Sequence, residues 1–152
     1  MLASIFLVAA VMRGAQIPEK DPAKNPLASI KSLKCSFSTS STGVWKSGAP
    51  EVQLKSDPIS FDVDSIDTQE GSARLITAEP TYLTALLTAS SIHFMERTLQ
   101  GSLTITTVFS IESTPGKLRA VRSRHEYLKI SLPGFASEPA VWQYYGECIA
   151  GR

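Results

Sequence analysis

The chain has 152 residues, 43% of them hydrophobic and 19% charged, and its 15 basic and 14 acidic residues leave a formal charge of +1. That length supports one domain with a full core rather than two. A balanced charge with no basic cluster excludes the electrostatic footprint of a nucleic-acid binder.

Two compositional breaks precede the foldable part. Leu2–Met12 is an uncharged apolar run, too short to cross a bilayer as a helix, which needs about 20 residues. Its length fits the apolar core of a secretory signal peptide. Residues 1–15 therefore read as a signal segment, and no transmembrane span is expected after its removal. Against this, no Lys or Arg precedes the run, and Arg13 would stand three residues before the cut after Ala15, where a small residue is expected. Pro18, Pro22 and Pro26 then recur among charges, and proline at that spacing breaks both helix and ladder. Residues 16–32 read as a linker, and 33–150 as a single β domain of a periplasmic or extracellular protein.

Cys35 lies in the first alternating run and Cys148 in the last. Their separation excludes a CxxC redox or zinc motif, and a pair of buried thiols is one reading. In an exported chain they are disulfide candidates, closing 148 − 35 = 113 residues. Thr39–Pro50 is rich in Ser and Gly and reads as irregular. Ile59–Val63 alternates cleanly, Gly71 marks a turn, and Ser72–Ile76, Tyr82–Leu87, Ile92–Thr98 and Leu103–Phe109 follow at short intervals. Thr81–Ala89 is helical by composition but short and flanked by strands. Lys117–His125, Tyr127–Leu132 and Ala140–Cys148 complete the series. A two-residue turn at Gln100-Gly101 sets Phe94 opposite Thr107 and Ile92 opposite Phe109, gathering Ile92, Phe94, Leu103, Ile105 and Phe109 on one face. The predicted fold is all-β, with about eight or nine strands in an antiparallel up-and-down meander forming a small barrel. The alternative is a two-sheet sandwich.

Candidate chemistry is sparse. Glu96 falls on the apolar face of its strand, and a buried carboxylate needs a partner. Arg122 shares a face with Leu118, Ala120 and Arg124 and is the predicted partner, with Phe94 and Tyr144 completing a candidate ligand-binding group. Asp62, Asp64, Asp67 and Glu70 are oxygen-rich, as calcium loops are, but lack the EF-hand spacing and read as a solvated face. His93 and His125 are too few for a metal cluster, so no metal or cofactor is expected. Ser123-Arg124-His125 invites a catalytic reading, but adjacent strand residues point to opposite faces, so Arg124 is turned away from its two neighbours. With no nucleophile elbow, phosphate-cradling glycine loop or HExxH, the reading is non-enzymatic.

The segments FDVDSID…GSARLI, SSIHFMERT…GSLTITTVF, LRAVRSRH and QYYGEC, in that order and spacing, cover most of Phe61–Cys148. With these the chain resembles a group of uncharacterised bacterial secreted β-rich proteins. The resemblance implies an exported bacterial β domain and brings no functional residue with it. The expected function is binding of a small apolar or amphipathic ligand, or a structural or interaction role in the bacterial envelope.

Overall fold

Alternation of apolar and polar side chains governs these strands, as it must where one face of a sheet meets a core and the other meets water. A computed structural model describes residues 25–98, 101–127 and 138–151. The elements are β1 (Leu33–Lys46), β2 (Ala49–Asp67), β3 (Ser72–Ile76), β4 (Thr81–Leu87), β5 (Ser91–Arg97), β6 (Leu103–Thr114), β7 (Lys117–Tyr127) and β8 (Pro139–Ala150). Each strand pairs antiparallel with the next, and β8 returns to pair with β1, so the sheet closes on itself. The meander barrel expected from the turn spacing is the fold, and one ring of strands leaves no place for two separate sheets. The signal segment at 1–15 and most of the stretch Tyr127–Leu132 lie outside the described residues. Among the described residues no helix is long and apolar enough to cross a membrane.

Ring closure falls at the cysteines. Cys35 and Cys148 are direct partners across β1 and β8, point into the core and form a disulfide, with Cα atoms 4.0 Å apart. Around them Leu33, Phe37, Val63, Ile92, Phe94 and Val108 fill the interior. Each such side chain contributes about 1.5–3 kcal/mol when fully buried. Lys34, Ser36 and Ser38 alternate with Leu33, Cys35 and Phe37 on the outer side. This apolar-in, polar-out order is the inverse of a lipid-facing barrel wall.

Three expectations are corrected. The linker at 16–32 is packed in its described part. Pro26–Ser29 form a 3-10 turn capped by Asn25, whose Oδ1 accepts from Leu27 N at 3.0 Å and whose Nδ2 donates to the Thr88 carbonyl at 2.8 Å. Leu27 is 1% exposed, and Ile66 N donates to the Lys31 carbonyl, so this segment plugs one end of the barrel. Leu27 supplies an apolar anchor that a purely Pro-and-charge reading overlooks.

Second, Thr39–Pro50 is not irregular. It forms the long arm of the β1–β2 hairpin, turning at Ser47 (φ 51) and Gly48 (φ 79), a left-handed pair suited to a two-residue turn. β1 is paired on both sides here, with β2 and β8, and that pairing overrides the weak strand preference of Ser and Gly.

Third, the β5–β6 register is displaced by one residue. Thr98 pairs with Ser102, and Gly101 takes φ 92, so the turn holds one residue more than expected. Arg97 then faces Leu103, Phe94 faces Thr106 and Ile92 faces Val108. Thr104, Thr106 and Val108 therefore point inward, while Leu103, Ile105 and Phe109 point outward. Counting apolar residues favoured the other face. The interior instead takes Thr106, whose hydroxyl accepts from the Arg122 guanidinium.

Candidate functional site

Successive levels of the barrel interior change in chemistry. Beginning beside the disulfide, the partners Ile92–Val108–Ala120–Gly146–Phe37–Ile59 form an apolar level. The next level, Phe94–Thr106–Arg122–Tyr144–Ser40–Lys55, is mixed, and the one beyond it, Glu96–Thr104–Arg124–Trp142–Thr42–Gln53, is charged and aromatic, with Lys55, Arg124 and Gln53 exposed where this end opens to solvent. The end opposite the plug is therefore polar inside, and it is built where β5, β7 and the β1 arm end and β2, β6 and β8 begin.

Arg122 organises this end. Its Nη2 donates to Glu96 Oε2 at 3.1 Å, its Nη1 donates to Thr106 Oγ1 at 2.9 Å, and its guanidinium carbon lies 4.7 Å from the Phe61 ring centroid. Phe61 in turn stacks on Phe37 with centroids 5.6 Å apart. The Arg122 and Glu96 side chains are 18% and 19% exposed, so the pair is largely withdrawn from water. Burial pushes the Arg122 pKa down from its usual value, and the Glu96 charge opposes that shift. The guanidinium stays charged because carboxylate, hydroxyl and ring face together replace its hydration.

Tyr144 stands next to Arg122 across β7–β8. Its hydroxyl points to Asp57 Oδ2 at 3.5 Å, and burial, followed by the Asp57 charge, raises its pKa. One level out, Arg124 Nη2 bonds Glu126 Oε2 at 2.6 Å and its guanidinium lies 5.6 Å from the Trp142 ring centroid. Of the four residues singled out from the sequence, Glu96 and Arg122 meet, Tyr144 adjoins them, and Phe94 is buried one level below Glu96 as part of the core. Sequence reasoning missed Phe61, Thr106 and Asp57, and it set Arg124 on the face of Arg122 without giving it a part in the site. The alternation Thr104-x-Thr106 against Arg122-x-Arg124 was the available signal, because it sets hydroxyls opposite guanidiniums.

The remaining candidates are engaged elsewhere. Asp64 takes both Arg74 bonds, at 2.8 and 2.7 Å, which hold its carboxyl below the usual range. Asp67 accepts from the Gln69 and Glu70 amides and caps the β2–β3 turn. Among the described residues no three His, Cys, Asp or Glu side chains are placed to hold a metal. His93 lies on the outer face between Ser91 Oγ and Thr107 Oγ1, each 3.0 Å from a ring nitrogen, and burial lowers its pKa. A groove of about 690 Å³ runs along the outer wall between Ser36, Pro58, Ser60 and Tyr145. No protein-family model and no curated protein matches this chain.

Proposed function

We propose that the protein is a non-enzymatic, exported binding barrel whose polar end receives a small amphipathic ligand. The change of the interior from an apolar level to the Arg122–Tyr144 level, with Glu96 one level beyond and bonded to Arg122, carries this reading. A ligand's polar group would meet Arg122, Glu96 and Tyr144, while its apolar part would lie against Trp142. A wholly apolar ligand fits less well, because it would strip water from the charged pair without replacing its hydrogen bonds. The Cys35–Cys148 disulfide supports export to a periplasmic or extracellular setting, where such bonds form and persist.

A non-catalytic role is supported by the commitments of the available groups. Glu96 is occupied by Arg122, and the Ser91–His93 contact ends on Thr107, with no carboxylate among the described residues orienting the imidazole. The test is titration of the chain with decanoate, decyltrimethylammonium and octyl glucoside, followed by Trp fluorescence in a Trp45→Phe background that isolates Trp142. A saturable change abolished by Tyr144→Ala supports the reading. No saturable change with any of the three probes refutes it. The second reading, an interaction component of the envelope, is favoured by a different surface, the outer edge of β2.

A further inference from the structure

Among the described residues β3 pairs with β2 only from Asp62 to Asp67, so residues 49–61 of β2 have β1 on one side and no strand on the other. The exposed edge carries Val52 at 70% and Leu54 at 76% exposure, among the most exposed large apolar side chains described. Lys46 and Ala49 flank the two-residue turn at Ser47 and Gly48 and therefore exchange the turn's backbone hydrogen bonds. Antiparallel alternation then directs the amides of Glu51, Gln53 and Lys55 toward β1. It leaves the N–H and C=O of Val52, Leu54 and Ser56 pointing outward. Pro50 falls in the outward set, where its missing N–H costs β1 nothing.

Self-pairing of this edge has one register that satisfies backbone, charge and apolar matching together. With Gln53 opposite Gln53 of a second copy, Val52 faces Leu54 of that copy in a hydrogen-bonded pair, and Leu54 faces its Val52. On the other face Glu51 meets Lys55 of the second copy, and Lys55 meets its Glu51. Among the described residues Lys55 makes no ion pair within its own chain, while Glu51 already holds Lys46 at 2.9 Å and would lie between two lysines. Pro50 and Pro58 bound the segment, limiting the ladder to the stretch where these matches occur.

We propose that the β2 edge, centred on Gln53, is an isologous docking surface for a second copy of this chain, joining two barrels by antiparallel strand addition. The proposal is independent of the ligand reading. So short a ladder belongs to the weak class of interfaces, so the dimer is concentration-dependent.

Sedimentation equilibrium of the chain over a concentration series is the test. A monomer–dimer equilibrium is expected. Lys55→Glu should weaken it about tenfold or more by opposing like charges twice across the two-fold axis, and Glu51→Lys/Lys55→Glu should restore it. Near-ultraviolet circular dichroism confirms that each variant is folded. Gln53→Cys, across the axis, should cross-link to a covalent dimer under mild oxidation faster than Leu54→Cys, whose counterpart lies two residues out of register. A chain monomeric at every concentration overturns the proposal. So does a dimer indifferent to Lys55→Glu or not restored by the double exchange, or cross-linking at residue 54 as fast as at residue 53.

Discussion

Removing the Glu96 carboxylate should reveal how much of this barrel depends on its buried ion pair. The Glu96→Ala change deletes the partner of Arg122 Nη2 at 3.1 Å, while the Thr106 hydroxyl at 2.9 Å and the Phe61 ring remain. A fully buried charge left without its partner costs about 3–5 kcal/mol, and a lost hydrogen bond to a charged group about 1.5–3 kcal/mol. Arg122 keeps two of its three contacts, and nearly a fifth of each side chain still meets solvent, which favours the lower range. The expected loss is about 2–3 kcal/mol, or a fall in Tm of about 10 °C for a domain of this size. Arg122→Ala should cost about 3 kcal/mol, since it also removes the Phe61 contact and leaves Glu96 unpaired. Urea melts of both single variants and the double variant give the coupling directly, with about 1–2 kcal/mol expected. Effects that add to within about 0.5 kcal/mol would show that the two groups do not interact and would refute the reasoning.

Three other perturbations probe different parts of the fold. Replacing Cys35 and Cys148 together by Ala should cost about 4–5 kcal/mol by the loop-closure argument for a separation of 113 residues, and an unchanged urea midpoint would contradict it. Gly146 packs so closely on β1 that an added Cβ would lie 2.6 Å from Phe37 Cα and closer still to the Ser36 carbonyl. Gly146→Ala must therefore push β1 and β8 apart, and it should cost at least about 2 kcal/mol in the same melt. His93 is held below its usual pKa by burial, so the folded chain binds fewer protons than the unfolded chain as pH falls through about 6.5. Its contribution is intact above that value and is lost on acidification until the folded pKa is passed. His93→Gln should flatten this part of the stability profile on acidification below about pH 6.5, and a profile identical to that of the unaltered chain would argue against a desolvated imidazole.

Strand alternation and turn spacing were enough to read an all-β meander from the sequence, because side-chain direction repeats every two residues whatever the neighbours are. The inward direction of Glu96 and Arg122 followed from the same local rule, which is why it survived an error in the β5–β6 register. Register is less local. One extra residue at the Thr98–Ser102 turn, with Gly101 at φ 92, turned Leu103, Ile105 and Phe109 outward and brought in Thr104 and Thr106. Apolar counting could not foresee that, since the Thr106 hydroxyl is required inside only once Arg122 is there to be satisfied. The same holds for Leu27 and Asn25, whose place in a Pro-rich segment makes sense only against the open end of a closed barrel. Composition and periodicity thus determined that the chain forms short antiparallel strands, and which face of most of them is apolar. Only the tertiary structure decided which strands meet at the seam, what plugs one end and which polar groups gather at the other. Those outcomes depend on partners distant in sequence, and no local pattern encodes the distance between them.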